Sequence, residues 1–170
     1  HQYFKQSQCK TPVINTWLEG YGIGGHAILD IPNKSGCFDC AYVDEYSGQP
    51  GLAANLNFLQ QNQSIVKNHA GCCESYIPYG SVSSTQAALI AAELAIKYLE
   101  NKLTTSSKIS YKGDADDALA EGLKLAPRYD LFDQSLVKTQ LYHPQCHQCR
   151  GEPAVTYQGC GITIHITQEV

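Results

Sequence analysis

Two β-rich runs flank a glycine-dense stretch early in the chain, within "TPVINTWLEGYGIGGHAILDIP". Val13, Ile14 and Trp17 carry the first run. In the second, Ala27, Leu29 and Ile31 alternate with Ile28 and Asp30 until Pro32 stops the pattern. Glycines between two such runs predict a β-hairpin whose turn uses positive φ angles. The stretch "GYGIGG" at 20–25 also has the look of a nucleotide loop. A dinucleotide fingerprint leads from a strand into a helix, whereas here a strand-like run follows, so the turn is the stronger reading.

Further along, "SSTQAALIAAELAIKYLENK" is apolar nearly all round over 87–99, the pattern of a helix buried against a sheet. Ser83 with Gln86 three residues on suggests a capping box, and Lys97 and Lys102 suit the negative end of the helix dipole. The polar, glycine-flanked stretch at 48–71 predicts at most a short helix at 52–59, next to a mobile loop, a partner surface or a solvated connection. "TTSSKISYK" reads as a polar linker, "DDALAEGLKLA" as one or two helical turns ended by Pro127, and "QSLVKTQLYHP" as a strand. The chain closes on a strand–glycine–strand pattern, "AVTYQGCGITIHITQEV", with Ile162, Ile164 and Ile166 on one face and His165 on the other. These elements make one α/β domain of 1–170, or part of one, with 103–141 as a variable insertion or linker.

Composition narrows the function classes. The apolar and charged fractions are those of a soluble globular protein and the formal net charge is only −4, without the basic stripe that nucleic-acid binding calls for. No apolar run approaches the length of a membrane span, and the polar start is unlike a secretory signal. The absence of methionine suggests a mature product or a fragment. These features set the expectation of a cytoplasmic protein with neither nucleic acid nor membrane as partner.

Eight cysteines are the densest chemistry in the chain. Cys37 and Cys40 in "GCFDC", and Cys146 and Cys149 in "HPQCHQC", are two Cys-x-x-Cys knuckles. Two knuckles can give four thiolates to one tetrahedral Zn²⁺, a closed site whose expected role is structural. A disulfide scaffold is the alternative for an even count. His143 and His147 flank the second knuckle as possible substitute ligands. Cys72 and Cys73 in "NHAGCCESYIPYGS" precede the long helix, where a dipole and unpaired N–H groups can stabilise a thiolate. They are candidate nucleophiles for a thioester or persulfide, with His69 as a nearby acid–base group. Small hydrophobes packed in the core are the other reading of the pair.

Taken in order, "HAILDIP", "GCFDC", "GCCES" with "PYG", the alanine-rich helix ending "AIKYL", and "HPQCHQC" resemble the C-terminal half of the ThiF/MoeB/HesA family. These are adenylyltransferases related to ubiquitin-activating enzymes. The resemblance covers most of 10–102 and the second knuckle; the longer stretch at 104–140, with "PYG" after the cysteines, is similar to activating-enzyme-like proteins of bacterial conjugation and antiphage operons. It implies a partial Rossmann-like domain with a mixed or antiparallel sheet, a buried helix and a zinc staple of Cys37, Cys40, Cys146 and Cys149. It further implies adenylation of the C-terminus of a ubiquitin-like or sulfur-carrier β-grasp protein, transfer to a thiol, and Cys72 over Cys73 as that thiol. The family's ATP loop has no counterpart here, so ATP and Mg²⁺ are expected only in a full-length enzyme and this piece alone is expected to be inactive. A homodimer, or pairing with the missing half, is expected too, because the apolar helix is expected to need a sheet that the missing half partly supplies. The competing expectation is a non-catalytic, zinc-stabilised scaffold of the same fold.

Overall fold

The computed structural model describes residues 10–44, 51, 54–68, 75–149, 156–159 and 162–165. The two alternating runs pair as the pattern predicts. Strands β1 (Val13–Leu18) and β2 (Gly24–Asp30) form an antiparallel hairpin in which Val13 stands opposite Asp30 and Leu18 opposite Gly25. Between them the chain makes a 3-10 turn, Gly20–Gly22, where Tyr21 and Gly22 take φ of 60° and 69°. The last two glycines of "GYGIGG" belong to β2 and serve close packing. A Cβ on Gly24 would meet the Phe58 ring at 2.5 Å, and one on Gly25 the Tyr111 ring at 2.4 Å.

A two-residue ladder joins β3 (Lys67–Asn68) to β4 (Ser75–Tyr76). Helix α1 (Ser81–Leu99) follows. It starts earlier than the expected Ser83 cap. Gly80 is the N-cap and makes no side-chain cap bond, while the hydroxyls of Ser84 and Thr85 both donate to the Ser81 carbonyl. Ser83 is drawn into packing instead, its carbonyl accepting the Tyr111 hydroxyl at 2.9 Å.

The stretch expected to open as a polar linker contains β5 (Ser107–Lys112), an inner strand of the four-stranded sheet β1-β2-β5-β6. Its serines obscured an alternation that places Ile109 and Tyr111 under α1 and Ser110 on the opposite face. Short helices α2 (Asp116–Ala120) and α3 (Pro127–Leu131) come next, then β6 (Leu136–Gln140). Gly122, at φ 75°, follows α2, whereas Pro127 opens α3; its fixed φ and missing N–H suit a first helical position. The final pattern forms a separate hairpin of β7 (Thr156–Gly159) and β8 (Ile162–His165).

All described pairings are antiparallel. α1 packs on a sheet supplied by this chain: Ala87, Ile90 and Leu94 lie against Ala27, Leu29, Ile109 and Tyr111. It is buried against the sheet as expected, and its apolar residues on the other side, Val82, Leu89, Ile96 and Leu99, are exposed. Residues 54–58 are turn and irregular chain, Leu59 makes an isolated antiparallel bridge to Leu125, and 52–53 lie outside the described residues. Here side-chain bonds outcompete helix, because the Asn55 amide donates to the Cys40 and Val43 carbonyls and the Trp17 indole donates to Asn57. Among the described residues no helix is long and apolar enough to cross a membrane.

Candidate metal centre

The antiparallel order explains why two distant cysteine pairs meet. β2 and β6 both run antiparallel to β5, so they point the same way and leave the sheet at the same end. One Cys-x-x-Cys follows each exit. The Asp30 carboxylate at the end of β2 accepts the Phe38 N–H at 3.0 Å and fixes the start of the first knuckle. Ser106, just ahead of β5, ties both exits together. Its N–H donates to the Ser35 carbonyl, its carbonyl accepts the Leu141 N–H, and its hydroxyl accepts the Ile31 N–H. Each knuckle then closes on itself, Cys40 N–H to the Cys37 carbonyl at 2.9 Å and Cys149 N–H to the Cys146 carbonyl at 3.1 Å.

The four sulfurs lie within 4.8 Å of one another. The Sγ–Sγ separations are 4.0 Å for Cys37–Cys40, 3.8 Å for Cys37–Cys146, 3.7 Å for Cys37–Cys149 and 3.5 Å for Cys40–Cys149. A tetrahedral metal with metal–sulfur bonds of about 2.3 Å has edges of about 3.8 Å, so the cage has the size of a tetrahedral tetrathiolate site. It is too wide for disulfides, whose sulfurs lie about 2.05 Å apart. Cys40, Cys146 and Cys149 are buried and Cys37 partly so, in an apolar shell that includes Ile28, Val43, Ala54, Leu56 and Leu141. Without a cation the thiols cannot all ionise at this spacing. Hydrogen bonds from Cys149, then Cys37 and Cys40, hold Cys146 far below the ordinary thiol range. Cys149 is driven far above it, first by its bond to Cys146. A divalent cation would let all four ionise. The cluster is therefore able to hold a metal ion such as zinc, with every donor turned inward and no position left for a substrate.

The other candidates fall elsewhere. His143 accepts the Gln145 N–H on its ring and His147 is exposed, so neither joins the cluster. Cys72, Cys73 and His69 lie outside the described residues. The described flanks are β3 and β4, and the Gly80 cap of α1 comes only after β4.

One constellation was missed from the sequence. His26 on β2 contacts the Ser110 hydroxyl through Nδ1 and the Glu19 carboxylate through Nε2, both at 2.8 Å. Glu19 also accepts the N–H groups of Phe58 at 2.7 Å and Leu59 at 2.9 Å. Ser, His and Glu in a row suggest a hydrolase relay, but His26 is 0% exposed, Ser110 2% and Glu19 5%. A nucleophile sealed from solvent cannot meet a substrate, and the network pins the 58–59 segment beneath the sheet. The signal available in the sequence was a polar residue amid the apolar "GGHAIL".

No family model matches the chain, and no solved structure matches it significantly. A curated protein does. The chain is 24% identical over 94 residues to the ATP-dependent ubiquitin transferase-like protein Cap2 of Pseudomonas aeruginosa (strain BWHPSA011 / Pa011). That stretch is 55% of this chain and 16% of Cap2, so the similarity supports the activating-enzyme family loosely.

Proposed function

We propose that this chain is the metal-stapled part of a ThiF-like activating enzyme that acts on a ubiquitin-like or sulfur-carrier β-grasp protein. The observation that carries the reading is the four-cysteine cage behind β2 and β6, in a chain similar to an ATP-dependent ubiquitin transferase-like protein. In this reading the metal is Zn²⁺, bound by Cys37, Cys40, Cys146 and Cys149, and its service is to hold the two strand exits together. A reducing compartment such as the cytoplasm suits such thiolates. ATP and Mg²⁺ act in parts of the full-length enzyme that this chain does not include. There the carrier's carboxylate displaces pyrophosphate from ATP, and a thiolate then displaces AMP to form a thioester. Cys72 is the preferred thiol and Cys73 its competitor.

The test uses the full-length protein with ATP and its cognate β-grasp partner, trapping the conjugate without reductant. A reductant-sensitive adduct is expected that disappears in Cys72→Ala and persists in Cys73→Ala. The reverse pattern moves the role to Cys73, and an adduct that survives both changes removes the thiol role altogether. The second reading, a non-catalytic scaffold, is favoured by the closed cage, in which all four donors point at one another. Partner binding that needs no ATP and leaves no adduct would select it.

A further inference from the structure

The four donors of the cage are not equally sheltered. Cys40, Cys146 and Cys149 are 3%, 1% and 3% exposed, whereas Cys37 is partly open to solvent. The fold holds Cys37 at this rim. The N–H of the next residue, Phe38, is bound by Asp30, and the Cys37 carbonyl accepts the Cys40 N–H. Each buried sulfur stands close to the exposed one. The Cys37 Sγ lies 3.7 Å from that of Cys149, 3.8 Å from that of Cys146 and 4.0 Å from that of Cys40. Thiol oxidation follows thiolate character and access, so an oxidant in solution meets Cys37 first, with a second sulfur waiting behind it.

We propose that the cage is a hydroperoxide-sensitive switch, entered at Cys37, in which oxidation of that thiolate discharges the metal. The inference rests on the reading of the cage as a zinc site. The Cys37 thiolate attacks one peroxide oxygen, the O–O bond breaks, and the departing oxygen takes a proton from water. Cys37 then carries a sulfenic acid. A neighbouring thiolate attacks its sulfur, an S–S bond forms, and the S–O bond breaks to release hydroxide, which solvent protonates. Two thiolates have given two electrons to the peroxide, and the zinc stays divalent throughout.

The disulfide draws two sulfurs from 3.7–4.0 Å to about 2.05 Å and removes two of the four anionic donors. A structural zinc site needs four ligands, so the ion leaves. The strand exits stay joined, because Ser106 bonds to Ile31, Ser35 and Leu141 without involving any sulfur. The knuckles therefore remain neighbours, and a dithiol reductant with zinc restores the cage.

The experiment treats the zinc-loaded full chain, freed of reductant, with hydrogen peroxide. Zinc is followed with a chromogenic chelator too weak to strip the untreated protein, and a 1,3-dione traps sulfenic acids for peptide mass analysis. Release of the bound zinc is expected, with zinc binding regained after dithiothreitol. Among the four cage cysteines the dione should label Cys37 first. Cys37→His keeps a zinc ligand at the rim and removes its oxidisable sulfur, so it should slow release at least about tenfold. The labelling order is read on the wild type and decides the point of entry without any variant. A first label on a buried cage cysteine, or release that dithiothreitol cannot reverse, overturns the inference. A zinc-loaded chain indifferent to excess peroxide overturns this inference alone, whereas a chain that holds no zinc when purified under reductant overturns the zinc reading with it.

Discussion

His26 sits between Ser110 and Glu19 with none of its surface exposed. The Glu19 carboxylate, already accepting two backbone N–H groups, leaves Nε2 to donate the third bond and Nδ1 to accept from the serine hydroxyl. This arrangement suits a neutral imidazole. Burial holds its pKa below the ordinary histidine value, and that outweighs the upward pull of Glu19. The unfolded chain binds a proton at this position near pH 6.5, and the folded chain binds it only at lower pH. Unfolding therefore takes up a proton below about pH 6.5, and stability falls with pH there while changing little from this source above it. Urea midpoints measured from pH 8 to pH 5 should show that fall, and His26→Gln should flatten it. An unchanged slope in the variant would assign the pH dependence to another group.

At the scale of elements, Gly36 at the junction between the β2 and β6 exits has the least room for a side chain among the described glycines. A Cβ on Gly36, which has φ 81°, would lie 1.5 Å from the Leu141 carbonyl oxygen. Relief would have to move backbone, and the backbone concerned leads into both knuckles. Gly36→Ala is expected to cost at least about 2 kcal/mol and to lower metal content, read by denaturant unfolding and metal analysis of one sample. Gly80→Ala, with open space around it, should cost at most about 1 kcal/mol. Similar losses at both positions would show that the strand exits tolerate displacement. The polar "TTSSKISYK" teaches a related lesson. Serine and lysine at alternate positions disguised β5, because Ser106 and Ser110 are buried as hydrogen-bonding groups and not as apolar ones.

For the whole molecule, the cage joins segments 109 residues apart in sequence. A cross-link over so long a loop removes a large share of the unfolded chain's freedom, and metal binding adds directly to folding stability. Purified protein is expected to hold close to one zinc per chain. A strong chelator, or Cys40→Ala, should remove the metal and lower the thermal midpoint by several degrees or more. Retained metal after the substitution, or an unchanged midpoint after chelation, would mean that the cage is not a structural staple.

The hairpin, the long helix and the pairing of the two cysteine knuckles were legible from residues alone, since alternation, apolar content and Cys-x-x-Cys spacing are local patterns. Three features depended on the assembled sheet. β5 became an inner strand because its neighbours β2 and β6 bury its serines against hydrogen-bonding partners. α1 became half-exposed because the chain's own sheet covers only one of its faces. Glu19, His26 and Ser110 meet through strand register and not through any motif. Sequence by itself determined which residues could bind a metal and which could turn; only the tertiary structure decided which faces were covered, because burial is a property of neighbours brought together across the fold.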